Sequence, residues 1–258
     1  MVGDGAVVTW TGLAVSLLLV GVAAALSVAL HLRLEQQVLV AAARALVQLL
    51  LVGAALELVI DPDRSLLWSW LWVAAMVVYA AGVASRRAPQ VPGLRLVALI
   101  AFGAAAVVTL GVLFGLGVFP LEGRTLVPLG GMMVGNSMAA TVLAARRVLE
   151  EATDKRAEIE ARLALGQDSR TAMRPHLRSA LRSAITPQVE TTKATGLVFL
   201  PGAMVGLILA GVEPVDAVLV QAVVMFLVLA STATTSVVVA LGVGRRLFTA
   251  DHRLIQPG

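Results

Sequence analysis

Seven stretches of about 18 to 30 mostly apolar residues follow one another along this chain, and a water-soluble fold has nowhere to put them. They cover residues 7–30, 38–60, 66–84, 96–119, 125–145, 194–211 and 215–244. A helix needs about 20 such residues to cross the ~30 Å hydrocarbon core of a bilayer. Inside that core each backbone N–H and C=O must find its partner within the protein, so helices are the expected form. Short breaks at Asp61-Pro62-Asp63, at Pro89 to Gly93, at Pro120 to Gly123 and at Gly211 to Pro214 separate most of the stretches. The expected fold is therefore all-α and polytopic, with seven transmembrane helices in one domain over residues 1–258.

Composition agrees with that reading. Only 14% of the 258 residues are charged and 59% are hydrophobic, whereas a soluble domain carries about 25% charged residues to cover its surface. There are no cysteines, which excludes disulfides, thiolate metal ligands and cysteine nucleophiles. Residues before the first stretch include Asp4 but no Lys or Arg. A cleaved secretory signal needs a basic start, so the first stretch reads as a retained helix.

The net charge of +4 is explained by topology rather than by nucleic acid, which is not an expected partner. With the N-terminus outside and the C-terminus cytoplasmic, all of the 20 Lys and Arg except Arg64 and Arg124 fall on the cytoplasmic side. Miscounting one helix would swap every later loop and destroy that asymmetry.

One long polar segment, 146–193, lies between the fifth and sixth stretches and predicts a cytoplasmic helical hairpin. Glu151 with Lys155 and Glu158 with Arg162 are acid-first i,i+4 pairs. Gly166 suits a helix end, and Asp168, Ser169 or Thr171 suits the next helix start. In that second arm Arg170, Arg174, Arg178 and Arg182 recur every four residues beside an apolar stripe of Met173, Leu177, Ala180, Leu181 and Ala184. Pro175 belongs in its first turn, and the arm is expected to end at Ile185-Thr186-Pro187.

Several enzyme classes find no support. Lys occurs only at 155 and 193, neither within a G-x-x-x-x-G-K-[ST] phosphate loop. His31, His176 and His252 are far apart and no H-E-x-x-H exists, so no catalytic residue and no metal ligand is assigned. Polar residues within apolar stretches are costly and face protein or a wet path, which makes Arg44, Gln48 and Glu57 of the second stretch candidates for a substrate path. The alternative is that Arg44 snorkels and Glu57 reaches the outer headgroups. Met132, Met133, Asn136 and Met138 open the fifth stretch as a possible thioether path for a soft metal. Equally, Gly131 and Gly135 there form a G-x-x-x-G packing face. Pro201 and Gly202 interrupt the sixth stretch and mark a candidate hinge.

Five blocks carry a family resemblance. They are Ala43-Arg44-Ala45-Leu46-Val47-Gln48 onward to Gly53, Pro128-Leu129-Gly130-Gly131-Met132-Met133-Val134-Gly135-Asn136, Glu160-Ala161-Arg162-Leu163-Ala164-Leu165-Gly166, the run 196–206, and Ile208-Leu209-Ala210-Gly211. In that order the chain resembles the FetB-type permeases of bacterial iron export, related to plant permeases of aluminium tolerance. The third block also resembles the start of the E-A-A-x-x-x-G coupling motif of ABC importer permeases, with Arg162 at its third position and without the Ile-x-Leu-Pro that normally follows.

The resemblance implies an ABC permease subunit in the cell (inner) membrane, not itself an enzyme, which pairs with a second copy of itself and with two copies of a separate ATPase. ATP and Mg would bind that partner, leaving this chain without a cofactor. Glu160, Ala161, Gly166, Arg170, Arg174 and Arg178 would form the ATPase-coupling element, and the cargo would be a metal ion, iron in the family's naming. A nucleotide sugar as cargo, or an ion-coupled carrier without an ATPase, are the competing readings.

Overall fold

In a computed structural model the described residues are 9–59, 65–249, 251 and 253–255, the side chains of 57–59 excepted. They form α1 (Trp10–Ala29), α2 (Glu35–Val59), α3 (Leu66–Arg87), α4 (Leu94–Gly115), α5 (Gly123–Asp154), α6 (Arg156–Ala164), α7 (Ser169–Ala194), α8 (Gly202–Leu209) and α9 (Pro214–Arg246), with no strand among them. Six of these, α1 to α5 and α9, are long and apolar enough to cross a membrane. The chain divides into two compact units, residues 1–61 and 62–258.

The first unit is a helical hairpin of α1 and α2. Its turn is tight enough to hold His31 and Arg33 at positive φ, 53° and 57°. The buried Ser27 fastens it, donating to Glu35 Oε2 at 3.2 Å and accepting from the Leu34 amide at 2.9 Å. Leu, Val and Trp side chains elsewhere on both helices are exposed, as expected of surfaces made for lipid or protein rather than water.

The second unit is a bundle whose core lies between α3, α4, α5, α7 and α9. Small residues set the helix spacing. A Cβ on Gly130 of α5 would stand 2.8 Å from Val73 of α3, and one on Gly242 of α9 would stand 2.5 Å from Val97 of α4. The two G-x-x-x-G pairs singled out in the sequence do not mark these approaches. Gly135, Gly202 and Gly206 have no neighbour close enough to meet a Cβ, and Gly131 meets only Met76 at ordinary contact distance.

These contacts also fix direction. Gly130 lies by Val73, and the Arg146 guanidinium donates to the Arg87 carbonyl, so α5 runs parallel to α3. Gly242 lies by Val97 and Arg246 covers Gly93, so α9 runs antiparallel to α4. One end of the bundle therefore gathers Arg87, Arg146 and Arg246, with Arg86 and Arg95 lining one hollow beside Tyr79. Both α5 and α9 start at the opposite end. The chain leaving α5 must travel the length of the bundle before α9 begins.

The route it takes differs from the sequence expectation in three respects. First, α5 does not stop near Ala145 but continues to Asp154. Second, the hairpin does not stand free: α7 lies against α5 and α9 and runs on through Pro187 to Ala194. Pro175 sits in its second turn instead of its first. The expected Glu151–Lys155 pair is replaced by bonds from Glu151 to α7, because the apolar stripe of Met173, Ala180 and Ala184 buries α7 against the bundle. Third, the interruption expected at Pro201-Gly202 is a full break, and 194–211 contains one short helix instead of a spanning one. Gly196 at φ +86° turns the chain, its amide donates to the Phe199 carbonyl at 3.0 Å, and Pro201 opens the eight-residue α8. Eight residues give about 12 Å of helix, well short of a bilayer.

Candidate functional site

At the basic end of the bundle, three helices meet around His176. Its ring is buried, with Nδ1 3.4 Å from Glu151 Oε2 of α5 and Nε2 3.9 Å from Glu158 Oε1 of α6. Ser179, one turn along α7, donates to the other Glu151 oxygen at 2.5 Å. The two carboxylates lie on opposite nitrogens of the ring, so the trio is a clasp between helices and not a chelate. Among the described residues no group of three or more His, Asp or Glu is arranged to hold a metal ion.

The clasp presents α6. Its expected pair forms, Arg162 to Glu158 at 2.9 Å, and Glu160 pairs with Arg156 at 2.7 Å. The Arg162 bond holds the Glu158 carboxyl below the usual carboxylate range; burial opposes it, and the charges of His176, Arg162 and Lys155 add to the lowering. Gly166, at φ +86°, closes the helix, and Asp168 caps α7 by accepting from the Thr171 amide at 3.1 Å. The predicted coupling residues thus come together in part. Glu160 and Gly166 line a cleft of about 770 Å³ with Arg156, Asp168 and, from the C-terminal segment, Asp251 and Arg253. Ala161 is exposed beside it, while Arg170, Arg174 and Arg178 form an exposed stripe on α7.

The most distinctive group at this end was not singled out in the sequence. Leu165, at the tip of α6, is 82% exposed. Among the described residues of 146–194 it is the one large apolar side chain so exposed. A leucine in a charged neighbourhood is easily read as helix interior, and only the packing of α6 reveals that it points away.

The predicted path residues are dispersed. Met133 is fully buried in the core, Met132 and Met138 are half-buried, and the Asn136 amide donates back to the Met132 carbonyl at 2.8 Å. Arg44 and Gln48 are exposed on one face of α2 in the first unit, and the Glu57 side chain lies outside the described residues. Pro201 and Gly202 do stand at a break, as the start of α8. The Met204 amide there donates to Oε1 of the buried Gln221 on α9 at 3.2 Å.

A second polar region also escaped the sequence reading. The end of α7 carries Thr186, Glu190, Thr191 and Lys193 on its exposed side, with Lys193 Nζ 2.9 Å from Glu190 Oε1. Taking Pro187 as a helix end assigned these residues to a cytoplasmic loop. The signal available was the uninterrupted helical spacing that carries α7 to Ala194 without any turn residue.

Comparison with known proteins gives the family. Residues 10–248 match the model of the "Uncharacterised protein family (UPF0014)". The chain is 36% identical over 218 residues to the UPF0014 membrane protein STAR2 of Oryza sativa subsp. japonica, covering 84% of this chain and 76% of that one. It is 33% identical to the UPF0014 membrane protein YjkA of Bacillus subtilis (strain 168), over 96% of this chain and 98% of the other. Identity is 31% to the "Probable iron export permease protein FetB" of Escherichia coli (strain K12), over 96% of this chain and 95% of that protein. No solved structure matches. The ordered sequence blocks, the apolar helices and these matches along nearly the whole length together make this chain a multi-pass membrane protein of the UPF0014 family.

Proposed function

We propose that this chain is the membrane-spanning permease subunit of an ATP-driven exporter of a metal ion, assembled as a homodimer with two copies of a separate ATPase. ATP and Mg belong to that partner. The membrane is the cell (inner) membrane, with the N-terminus outside and the C-terminus in the cytoplasm. The names of relatives support the cargo class: one is the "Probable iron export permease protein FetB" and another, 30% identical, is Protein ALUMINUM SENSITIVE 3 of Arabidopsis thaliana.

The bundle geometry supports the orientation. Gathering Arg87, Arg146 and Arg246 at one end is the arrangement expected of a cytoplasmic face. It also supports seven crossings with a broken sixth. Since α5 and α9 both start at the far end, the α7–α8 segment makes the intervening passage, and a helix interrupted at membrane depth is tolerated where it lines a cavity. Movement of α6 would reach this broken passage through the His176 clasp and α7. Met132, Met133, Asn136 and Met138, with Arg44, Gln48 and Glu57, remain the proposed path residues of the fifth and second helices.

The observation that carries the reading is α6 with its exposed Leu165 at the basic end of the bundle. A lone apolar side chain rimmed by charged pairs is the pattern of an interface anchor, and the partner expected there is the ATPase. Co-purification with a phosphate-loop ATPase encoded beside this chain tests it. Leu165→Asp is expected to abolish the complex while the permease still elutes as a folded dimer. Unchanged ATPase binding by Leu165→Asp contradicts the reading.

A further inference from the structure

The outward face of α3 ends in charge that nothing beside it balances. Ala75, Val78, Tyr79, Gly82 and Arg86 of α3 line one hollow of about 440 Å³ together with Arg95 from the first turn of α4. On α3 these positions fall at i, i+3, i+4, i+7 and i+11, a single stripe of the helix. The stripe lies opposite the buried Val73, Val77, Ala80 and Ala84, so the hollow opens away from the bundle core. Gly82 keeps it open: a Cβ there would meet nothing within 4 Å, unlike the packing glycines 130 and 242. Both α3 and α4 are long and apolar enough to cross a membrane, and residues 88–93 join them. That turn sets Arg86 and Arg95 at the bilayer surface. From Arg86 down to Ala75 the stripe is about 16 Å long, half the ~30 Å of a hydrocarbon core. It therefore runs from the surface to the middle of the bilayer, the depth of one leaflet.

Electrostatics decide what fits there. No acidic residue lines the hollow, and neither Arg86 nor Arg95 forms an ion pair among the described residues. The sequence holds no Asp or Glu between Asp63 and Glu122, so both helices and their turn carry arginines without a counter-charge. The start of α4 adds to this: its cap, Gly93, makes no side-chain bond and its first turn has no acid, which leaves the positive end of the helix dipole uncompensated. Guanidinium groups match phosphate in shape and charge. Two of them at the surface, above an apolar trough one leaflet deep, describe a ligand with an anionic head and a long apolar tail.

We propose that this hollow binds an anionic phospholipid, its phosphate at Arg86 and Arg95 and one acyl chain lying along Gly82 towards Ala75. A zwitterionic lipid has the same phosphate but brings its own cation, so it gains less from the two arginines. Such a lipid binds whatever the cargo of the chain is.

The test titrates the full-length protein in detergent with phosphatidylglycerol, with phosphatidylcholine of the same acyl chains, and with glycerol 3-phosphate, counting adducts by native mass spectrometry. Phosphatidylglycerol is expected to half-saturate the tightest site at a concentration about tenfold or more below phosphatidylcholine. Arg86→Gln with Arg95→Gln should abolish that preference. Gly82→Leu, which fills the trough from a position with open space and a better helix former, should weaken both lipids. Neither variant touches the core, and both should elute as wild type does. Equal binding of the two lipids by wild type, a preference that survives the double substitution, or unchanged binding by Gly82→Leu each overturns the site. Displacement of the lipid by equimolar glycerol 3-phosphate would make it a site for free phosphate, and loss of self-association in Gly82→Leu would make it an interface between copies; either result also overturns it.

Discussion

Gly242 and Gly130 stand where neighbouring helices come closest, and their missing side chains set that spacing. A methyl group at 242 would press to 2.5 Å on the branched, stiff Val97. Gly242→Ala is therefore expected to cost about 1–3 kcal/mol through overpacking, read as a fall in the thermal midpoint of the purified protein, whereas Gly206→Ala, with open space around it, should be neutral. Hydroxyls in the same bundle give a prediction of opposite sign. Ser231, Thr235, Ser137 and Thr141 all donate to carbonyls of their own helix, but Thr232 and Ser236, equally buried, have no partner among the described residues. An unmet buried hydroxyl costs about 1–3 kcal/mol. Ser236→Ala is expected to raise the thermal midpoint, and a fall would show that the hydroxyl is engaged in the native membrane state.

At the scale of the element, α6 is held by charge and α7 by shape. The Arg162 bond lowers the Glu158 pKa. A depressed folded-state pKa contributes stability that is present above the unfolded-state value and is lost as pH falls through the folded one. Protection of the α6 amides, relative to their intrinsic exchange rates, should therefore be constant above the carboxylate range and fall as pH drops through it. In Arg162→Gln protection should already be lower at neutral pH and should lose this dependence on pH; a profile identical to wild type would contradict the role of Arg162. The same helices show how much was legible beforehand. Glu158 with Arg162, the Asp168 cap, the Gly166 terminus and the basic stripe of α7 are all readable because i,i+4 spacing and capping are local. The break at 195–201 is signalled by Pro201 and Gly196, but its tie to α9 is not, because the Met204 amide bonds to Gln221, seventeen residues further on. The end of α7 differs because Pro187, a breaker by local rules, lies inside a helix anchored on α5 and α9 through residues up to Ala184 and continuing to Ala194. Leu165 was invisible as a feature for the complementary reason: exposure is a property of the fold around it.

For the whole molecule, one clasp connects the exposed tip of α6 to the helix that leads into the break at 195–201. Leu165 is the proposed contact to the partner, His176 links α6 to α5 and α7, and α7 would carry motion towards the break before α8. Charge sidedness, legible in the sequence from the positions of the arginines alone, reappears in the bundle as one basic end. His176→Leu keeps the helix buried while removing both contacts to glutamate. It is expected to leave ATPase binding intact but to lower cargo-stimulated hydrolysis by about tenfold; loss of binding and coupling together would make His176 merely structural. The most direct measurement of the central claim is ATP-driven uptake of ferrous iron into sealed inside-out vesicles holding this chain and its ATPase. The account predicts uptake that needs both chains and hydrolysable ATP, and that persists after ionophores collapse the proton and sodium gradients. Uptake by this chain alone under an ion gradient, with no response to ATP, would contradict it.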